Sequence, residues 1–576
     1  MTMDYKAAYQ HWLDSPALSN EEWQELDAIA GNEEEIRDRF FAPLEFGTAG
    51  LRGIMGTGLN RMNIHVVRHT TQAFASVIRE EGSDARTRGV IICYDCRIDS
   101  ENFAREAASV MAANGIHVRI FDALRPTPEL SFAIRHYGAV AGLNITASHN
   151  PRAYNGYKVY WSDGAQLAPE RADAISRIMS EIDIFCGVHK MEFSDALSRG
   201  LIEFIGAETD ELFLQNVLAQ AINREVAPRV ADKFKIVYTP FHGAGHMLVP
   251  EALARLGITR LYPVPEQMVI DGSFPTVESP NPEEPDGFYL GIKLAKQEGA
   301  DLIIGTDPDS DRVGVMVRSS EGEFKTISGN QMGVLLLDYV IKARRAAGSL
   351  PVNAATVKTI VTTEMARVVA EKNGVHIAET FTGFKFIAEK IAEFERDNEY
   401  SFIFGYEESY GYMVGDFVRD KDAVTASMMI AEMAAHYFEQ GMTLLEAMDS
   451  LYDEYGYFAE HTINLVMPGI DGLEKMKKLM ARLREEPPAE IGGTPVEHMR
   501  DYLSGKIRVS GKGIVGDTEI VGSNVLYFVL GDGTSYIVRP SGTEPKIKVY
   551  IMTRGEDRLA CAEKIERFSV YTESLR

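Results

Sequence analysis

Short apolar runs alternate with amphipathic stretches and glycine-marked breaks along most of the chain. One apolar run covers residues 89–94, an amphipathic stretch follows, and a second apolar run covers 116–121, just after Asn114 and Gly115. Glycine directly after a helical pattern is typical of a helix C-terminus. The pattern therefore predicts a strand–helix–strand unit whose two strands pair in parallel through a right-handed crossover.

The same order of strand, helix, glycine and strand occurs twice more. The strands of these further units are predicted at 235–238 and 258–264, and at 356–361 and 375–378. Three such units predict three related α/β domains. The last segment differs, because strands at 525–530, 534–538 and 547–553 precede a helix at 556–568, which predicts a smaller C-terminal α+β domain. We place the domains at 1–205, 206–320, 321–450 and 451–576.

Composition and charge exclude several classes of protein. The 576 residues are 45% hydrophobic and 25% charged, which is ordinary for a soluble globular protein, and the net charge of −25 argues against a nucleic-acid surface. No apolar run is long enough to span a bilayer, and the N-terminus shows no signal peptide. Four cysteines form no disulfide framework, so we expect a cytoplasmic protein in which Cys93 and Cys96 are quiet thiols.

A serine-centred stretch follows the apolar run at 140–145. It reads Thr146-Ala147-Ser148-His149-Asn150 before a proline, so it places a hydroxyl beside an imidazole and an amide at a predicted strand end. Chemistry in α/β proteins usually lies at strand ends. A serine in a turn before proline is more often an ordinary turn residue than a nucleophile. A catalytic role for this stretch is therefore supported only by the loops elsewhere in the chain.

An acidic loop follows a second predicted strand, at 301–304. Asp307, Asp309 and Asp311 alternate, so an extended backbone would place the three carboxylates on one side. Three hard oxygen donors suit Mg²⁺ and leave room for water and a phosphate oxygen. An EF-hand is excluded because Arg312 occupies the position that needs glycine and Arg318 the position that needs glutamate. The alternative is a solvated acidic turn, although clustered carboxylates repel one another unless a cation lies between them.

Three further loops are rich in glycine and polar residues. Residues 405–411 offer carboxylates and a hydroxyl suited to sugar hydroxyls, with a helix N-cap as the alternative. Residues 539–546 combine an arginine, two hydroxyls and an open backbone, which suits a phosphate, with a polar hairpin as the alternative. Residues 46–53 are either a tight connection or an oxyanion cradle. Together with the serine and acidic loops they provide the parts that phosphoryl transfer needs.

These motifs resemble those of the α-D-phosphohexomutase superfamily, the phosphoglucomutase/phosphomannomutase enzymes. They occur in the family's order, and the resemblance covers nearly the whole chain. The form Gly-Tyr-Glu-Glu-Ser-Tyr-Gly-Tyr at 405–412 and the chain length are most similar to the bacterial phosphoglucomutases of the branch that also contains phosphopentomutases. The resemblance implies three related α/β domains with mixed sheets and a smaller C-terminal α+β domain, arranged around a central cleft. These domains would carry in turn the phosphoserine, the metal, the sugar-binding and the phosphate-binding residues.

The resemblance also implies a role for individual residues. Ser148 would be the phosphoserine and would bind Mg²⁺ together with Asp307, Asp309 and Asp311. Lys158 would be the general acid/base, although an ordinary lysine pKa is too high for a base, so burial among cations or proton release as charge builds must correct it. His149 and Arg312 would line the reacting phosphate. The substrate would contact Arg52, Arg97, Thr382, Gly383, Lys385, Glu407, Ser409, Arg539, Ser541, Gly542 and Thr543.

The activity implied is the interconversion of glucose 1-phosphate and glucose 6-phosphate, with glucose 1,6-bisphosphate as intermediate and activator. Phosphomannomutase and phosphopentomutase activities stay open, and the partners implied are small sugar phosphates, with the chain a monomer or weak dimer. Residues 309–313 also fit the D-x-D-x-[TV] motif of haloacid-dehalogenase phosphatases, but that interpretation leaves Ser148 and Arg539 without roles. A non-catalytic sugar-phosphate sensor is a third alternative, which the intact serine and aspartates disfavour.

Overall fold

Two compact units make up the chain in the computed structural model, which describes residues 4–47, 50–467, 472–541 and 546–575. The first unit comprises the chain up to residue 327 together with residues 410–443, and the second comprises 328–409 together with the chain from 444 onward. The four sequence-based domain boundaries, and the central cleft, stay predictions. Within the described residues, no helix is both long and apolar enough to cross a bilayer.

The first part of the chain forms an α/β layer structure around a six-stranded sheet. Its elements are α1 Tyr5–Leu13, α2 Asn20–Asp27, α3 Glu33–Phe40, β1 Leu51–Ile54, α4 Ile64–Glu80, α5 Ser83–Arg88, β2 Val90–Tyr94, α6 Ser100–Ala113, β3 Val118–Phe121, α7 Thr127–Tyr137, β4 Ala141–Ile145, β5 Tyr154–Trp161, α8 Pro169–Glu181, α9 Phe193–Ser198 and β6 Ile202–Ile205. The strand order is β1-β5-β4-β2-β3-β6. Strands β2, β3, β4 and β6 pair in parallel, whereas β5 pairs antiparallel with both β1 and β4, so the sheet is mixed as predicted.

A five-stranded sheet follows in the same unit. Its elements are α10 Ala207–Ala219, α11 Val226–Val230, β7 Ile236–Thr239, α12 Gly245–Leu256, β8 Leu261–Pro263, a 3₁₀ turn at Pro285–Phe288, α13 Tyr289–Glu298, β9 Leu302–Thr306, β10 Val313–Arg318 and β11 Phe324–Ile327. The strand order is β11-β10-β9-β7-β8. Strand β7 is parallel to both of its neighbours, β8 and β9, whereas β10 is antiparallel to both β9 and β11. The strand predicted at 258–264 is shorter in the structure, where β8 covers only Leu261–Pro263.

The third strand–helix–strand unit lies in the second compact unit. Residues 328–443 form α14 Gly329–Ala346, β12 Ala354–Thr359, α15 Met365–Lys372, β13 His376–Thr380, α16 Phe384–Asp397, β14 Ser401–Glu407, β15 Gly411–Val414 and α17 Ala423–Glu439, of which β15 and α17 belong to the first unit. Strand β12 pairs in parallel with β13 and β14. Glycines 115, 257 and 374, which follow the three crossover helices, all have positive φ values between 67° and 105°, a backbone conformation that explains the choice of glycine.

The C-terminal part is an antiparallel sheet with helices, the predicted α+β domain. Its elements are α18 Leu444–Tyr455, β16 Tyr457–Val466, α19 Gly472–Glu485, β17 Glu490–Ile491, β18 Thr494–Asp501, β19 Lys506–Val509, β20 Gly513–Asp517, β21 Leu526–Leu530, β22 Ser535–Pro540, β23 Lys546–Gly555 and α20 Arg558–Glu573. The strand order is β16-β23-β22-β21-β18-β19-β20, and β17 pairs with β18. The final helix extends five residues beyond its predicted end.

Candidate functional site

Ser148 lies in a loop that starts where β4 ends. Its backbone is left-handed, with φ of 53°, and its side chain is almost fully buried. The Ser148 N–H donates to Thr146 Oγ1 at 2.8 Å, and Thr146 Oγ1 donates to Asp95 Oδ2 at 2.6 Å. A non-glycine residue at positive φ is strained, and surrounding contacts of this kind hold such a conformation in place.

Arg97 holds the same loop through hydrogen bonds to its backbone. Its two Nη atoms donate to four carbonyl oxygens, those of Ser148 and Asn150 at 2.5 Å each, Tyr154 at 2.9 Å and Pro151 at 3.1 Å. Its Nε lies 3.3 Å from Asp95 Oδ2, and the side chain is buried. The sequence predicted that Arg97 binds substrate, but its guanidinium is engaged with the serine loop's own backbone. Its geometry is that of a loop support.

The three aspartates of the acidic loop converge, but not for the reason that their spacing suggested. An extended backbone was expected, whereas residues 307–312 form the turn between the antiparallel strands β9 and β10, with Ser310 at φ of 54° and its N–H donating to Asp307 O at 2.9 Å. All three side chains are fully buried, and one carboxylate oxygen from each lies within 4.8 Å of the others. The extended-strand premise is wrong, and the hairpin turn gathers the carboxylates.

The serine and the acidic loop meet directly. Ser148 Oγ donates to Asp307 Oδ2 at 2.9 Å, across 159 positions of sequence. Asp307 Oδ1 accepts the N–H groups of Asp311 at 3.0 Å and Arg312 at 2.9 Å, which fixes its carboxylate. The side chain predicted as nucleophile and the residues predicted as metal ligands therefore form one buried cluster.

Two oxygens of the cluster have no hydrogen-bond partner among the described residues. They are Asp309 Oδ1 and Asp311 Oδ1, both buried. The opposite oxygens are engaged, because Lys158 Nζ lies 2.6 Å from Asp309 Oδ2 and 3.1 Å from Asp311 Oδ2. Buried carboxylate oxygens without donors are costly unless a cation is held there, so the donor set fits a divalent cation that prefers hard oxygen ligands.

The electrostatics of the cluster support the same fit. Burial raises the pKa of Asp307 well above its ordinary value, and the neighbouring Asp309 and Asp311 add to that rise. Burial also works to raise the pKa of Asp311, but Lys158, Lys421 and Arg312 outweigh it and hold that pKa below its ordinary value. Three carboxylates therefore do not share this space easily without added positive charge.

Lys158 is buried among carboxylates, with Lys421 as a neighbouring cation. Burial lowers its pKa, but Asp309 and Asp311 more than compensate, so the pKa is raised above the ordinary value. The carboxylates thus outweigh Lys421, and the way in which this lysine becomes a base stays a prediction. His149 differs, because burial, Arg312 and Arg52 all lower its pKa to well below its usual range. Its Nδ1 lies 3.2 Å from Ser148 Oγ.

Two arginines provide positive charge beside Ser148. Arg52 Nη1 donates to Asn150 Oδ1 at 2.9 Å, and Arg312 Nη1 donates to Glu283 Oε1 at 2.6 Å. Both guanidinium groups lower the pKa of His149, so both lie within electrostatic range of its imidazole. Clustered arginines with a neutral imidazole are suited to an anionic group such as a phosphoryl ester.

The second unit gathers the predicted sugar and phosphate residues. Glu407 Oε1 accepts the Gly383 N–H at 2.7 Å, and Glu407 is buried. Burial and the charge of Glu407 raise the pKa of Glu408 to about 7, while Lys548 and Arg539 act in the opposite direction. The sugar loop, the start of α16 and the arginine of the distal loop therefore lie within electrostatic range of one another.

The remaining predicted residues of this unit are placed less tightly. Thr382 Oγ1 is buried without a hydrogen-bond partner among the described residues, and Lys385 Nζ lies 4.5 Å from the centre of the Phe386 ring. The Ser541 N–H donates to Lys546 O at 2.8 Å, and Ser409 ends the segment of this unit that began at 328. Gly542 and Thr543 lie outside the described residues.

Several residues that contact the first unit's cluster belong to none of the predicted motifs. Lys421 Nζ lies 3.3 Å from Asp311 Oδ2 and 2.9 Å from Asp420 Oδ1, and Tyr160 donates to Asp420 Oδ2 at 2.8 Å. The sequence offers a partial signal in the four consecutive charged residues Arg419-Asp420-Lys421-Asp422, but only the structure shows that all four are buried and must therefore be paired. Thr127, which contacts Asp309, carries no such signal.

The two cysteines of the C-x-x-C pair differ in burial, since Cys96 is only half-buried. Cys93 is buried and free, burial raises the pKa of its thiol well above the ordinary value, and its Sγ donates to Arg125 O at 3.2 Å. Burial likewise raises the pKa of Cys96. A thiol that is favoured in its protonated form is a poor nucleophile, which agrees with the expectation of quiet thiols.

Comparison with known proteins gives matches over almost the whole chain. Four family models match in order, those of phosphoglucomutase/phosphomannomutase alpha/beta/alpha domains I, II and III and of the C-terminal domain, at residues 43–184, 211–322, 328–455 and 503–565. A protein named phosphoglucomutase from Staphylococcus saprophyticus is 35% identical over 528 residues, which cover 91% of this chain and 93% of that protein. One of the same name from Staphylococcus aureus MRSA252 is 34% identical over 533 residues, with 92% and 93% covered.

Solved structures share the fold. The open form of the Paramecium phosphoprotein pp63/parafusin, a phosphoglucomutase, matches with a TM-score of 0.67 at 17% identity, covering 92% of this chain and 94% of that chain. A phosphoglucomutase/phosphomannomutase family protein from Burkholderia thailandensis matches with a TM-score of 0.65 at 17% identity, covering 92% and 97%. Three α/β/α domains followed by a C-terminal domain are thus the architecture of this chain.

Proposed function

This chain belongs to the phosphoglucomutase/phosphomannomutase family, and we propose that it is a phosphoglucomutase that interconverts glucose 1-phosphate and glucose 6-phosphate. One observation supports this most strongly: Ser148 Oγ is hydrogen-bonded to Asp307 within a buried acidic cluster. The names of relatives at 34% and 35% identity agree with it. Phosphomannomutase and phosphopentomutase activities are the alternatives within the family.

We assign Mg²⁺ to the acidic cluster. Asp307, Asp309 and Asp311 would hold it together with an oxygen of phosphorylated Ser148, and the two unpartnered Oδ1 atoms are the donors that fit such a cation. When bound, a divalent cation neutralises phosphate charge and polarises the phosphoryl group.

Ser148 stores the phosphoryl group in this proposal. Its Oγ–P bond breaks as a P–O bond forms to the free hydroxyl of a hexose monophosphate, which gives glucose 1,6-bisphosphate. After the bisphosphate reorients, its other phosphate returns to Ser148. Splitting the isomerisation into two transfers avoids the release of phosphate to water.

Proton movement falls to Lys158. A neutral Lys158 would accept the proton of the attacking sugar hydroxyl as the new P–O bond forms. The ammonium so formed, which Asp309 and Asp311 favour, would return that proton to the sugar oxygen that leaves phosphorus in the second transfer. Neutral His149 lies beside Ser148 Oγ and is available as a hydrogen-bond partner for the serine in its unphosphorylated form. Arg52 and Arg312 neutralise the phosphoryl group during transfer.

Substrate recognition falls to the second unit. Glu407 and Ser409 would bind sugar hydroxyls, which both donate and accept hydrogen bonds. Thr382, Gly383 and Lys385 would set the preference between sugars. The phosphate that is not transferred would be held by Arg539, Ser541, Gly542 and Thr543. Arg97, in contrast, supports the serine loop. We further propose a cytoplasmic location, with which the free cysteines agree, and a monomer or weak dimer.

Activity and mass together test this function. The purified chain, supplied with Mg²⁺ and a trace of glucose 1,6-bisphosphate, should convert glucose 1-phosphate to glucose 6-phosphate, with kcat/KM higher than for mannose or ribose 1-phosphate. Its intact mass should show a phosphate adduct that maps to Ser148. Ser148→Ala should lose the adduct and at least about 10³-fold in kcat, as expected for loss of a nucleophile.

A matched control is Ser76→Ala, because this serine lies on α4 and donates only to Gln72 O of the same helix. That variant should keep both adduct and activity. A higher kcat/KM for ribose 1-phosphate would overturn the glucose preference. Full turnover by Ser148→Ala would overturn the serine mechanism, and release of phosphate without isomerisation would favour the phosphatase alternative.

A further inference from the structure

Thr127, the first residue of α7, binds Asp309 through both its backbone and its side chain. The Thr127 N–H donates to Asp309 O at 2.8 Å, and Thr127 Oγ1 donates to Asp309 Oδ2 at 2.8 Å. Both residues have no solvent exposure. The two residues are 182 positions apart, so this is a tertiary contact between the start of α7 and the turn after β9.

Asn144 fixes the direction of that hydroxyl. Asn144 Nδ2 donates to Thr127 Oγ1 at 2.8 Å. A hydroxyl has one hydrogen, so a Thr127 oxygen that accepts from Asn144 has its own hydrogen left for Asp309 Oδ2. Asn144 lies on β4, four residues before Ser148, and is fully buried. The chain of donors therefore runs from the strand that leads to the serine, through Thr127, to Asp309.

The same row of the sheet provides the second donor to this oxygen. Asn144 on β4 is the register partner of Lys158 on β5, and Lys158 Nζ lies 2.6 Å from Asp309 Oδ2. Asp309 Oδ2 thus has two donors, while Asp309 Oδ1 has none among the described residues. A carboxylate that is held by one oxygen in this way presents the other in a fixed direction.

We propose that Thr127 and Asn144 are positioning residues for a metal ligand: they hold Asp309 so that its Oδ1 is presented to the divalent cation. The proposal rests on the assignment of a cation to the acidic cluster, and it deepens that assignment by making cation affinity depend on residues of the serine-bearing sheet. Neither residue carries a charge or touches the reacting atoms. Their effect passes through Asp309.

Loss of the Thr127 hydroxyl should weaken metal binding. Thr127→Val keeps the shape of the side chain but leaves Asp309 Oδ2 with Lys158 alone and leaves the Asn144 amide without its acceptor. Partners that orient metal ligands typically contribute about 10- to 100-fold to affinity. Thr127→Ser keeps the hydroxyl and should therefore keep most of the metal affinity.

The test uses Mn²⁺ as the probe, bound to the full chain and measured by electron paramagnetic resonance or calorimetry without substrate. Thr127→Val should raise the Mn²⁺ Kd about 10-fold or more, with Thr127→Ser within about 3-fold of the parent chain. Asn144→Ala should also raise the Kd, which keeps the proposal testable if Thr127→Val fails to fold. In turnover, Thr127→Val should raise the Mg²⁺ concentration for half-activation more than it lowers kcat at saturating Mg²⁺.

A matched control is Thr71→Val. Thr71 is also buried in this unit, and its Oγ1 contacts Val67 O and Tyr157 Oη but no residue of the acidic cluster. It should lose stability without a change in Mn²⁺ Kd. Unchanged Mn²⁺ Kd in folded Thr127→Val and Asn144→Ala would overturn the positioning role. Absence of Mn²⁺ binding to the parent chain would instead overturn the cation assignment itself, so the two failures are distinguishable.

Discussion

At the scale of single residues, the buried acidic cluster is the least ordinary feature of this protein. Three carboxylates within one turn have no solvent exposure, or nearly none, yet only part of their hydrogen-bonding capacity is used. Burial of such charge is unfavourable unless partners compensate it. Lys158 and Lys421 supply part of that compensation, and the two unpartnered Oδ1 atoms mark where the rest is needed.

Asp307→Asn should therefore have opposite effects with and without metal. Because burial and its neighbours raise the pKa of Asp307, its ionised form is unfavourable in the metal-free fold, and the amide should raise the melting temperature in the presence of a chelator. The amide also removes a metal ligand, so the stabilisation by millimolar Mg²⁺ that we expect for the parent chain should disappear. Thermal unfolding with Mg²⁺ and with chelator measures both effects. Equal Mg²⁺ stabilisation of variant and parent would contradict the metal assignment.

The individual residues of this cluster were largely predictable, but their contacts were not. Asp307, Asp309, Asp311 and Ser148 were identified from loop composition alone. Thr127 and Asn144 were not, since a threonine before proline and an asparagine in an apolar strand are common in any sequence. Their function follows only from hydrogen bonds that span 182 and 17 positions.

At the scale of elements, helix α17 is notable for a buried cap. Asp422 accepts the N–H groups of Val424 and Thr425, both at 2.9 Å, and it is fully buried. Burial raises the pKa of Asp422 to about 6 in spite of these hydrogen bonds. The cap therefore provides hydrogen bonds to the helix but carries a charge that the buried environment disfavours at neutral pH.

Asp422→Asn should keep the cap and remove that cost. In the unfolded chain Asp422 ionises near its ordinary pKa, and in the fold it ionises near 6, so its contribution to stability is present at low pH and is lost as the pH rises through that window. The melting temperature of the variant relative to the parent should therefore increase from about pH 4 to about pH 6.5 and change little above that. Asp422→Ala, the control without a cap, should lose about 1–2 kcal/mol. If the difference in melting temperature between Asp422→Asn and the parent did not depend on pH, the raised pKa of Asp422 would be contradicted.

The hairpin of β9 and β10 shows where element-level prediction fails. The sequence predicted both the strand before the acidic residues and their shared chemistry, but not the turn that gathers them. Alternation of residue types resembles a strand pattern, whereas Ser310 at φ of 54° breaks any extended run. The residue type does not predict a left-handed conformation for a serine, because tertiary contacts select that conformation.

At the scale of the whole molecule, acidic charge outweighs basic charge while the proposed ligands are anions. The net charge is −25, and the isoelectric point is about 5.0. Positive charge is instead local, at Arg52, Arg312 and Lys158 in the first unit and Arg539 in the second. Such an arrangement favours solubility, and it makes binding of anions depend on short-range contacts.

Self-association should consequently depend on pH. At about pH 7.5 mutual repulsion should keep the chain dispersed, whereas near its isoelectric point light scattering should rise steeply. Scattering at matched concentration across that range checks this expectation. Moderate salt at about pH 7.5 should screen the repulsion, so that the scattering there moves closer to the scattering near the isoelectric point. Equal scattering at both pH values would show that surface patches, and not net charge, govern association.

The sequence by itself determined the three strand–helix–strand units, the α+β ending, the family and the residue types of the reactive loops. These are local features, set by hydrophobic period, by glycine after helices and by composition, so they can be read from neighbouring residues. Only the tertiary structure decided that Ser148 donates to Asp307, that Arg97 supports a loop, that carboxylates surround Lys158, and that Thr127 aligns Asp309. Those facts depend on which distant segments share a buried space, where each donor must find an acceptor, and no local pattern encodes that pairing.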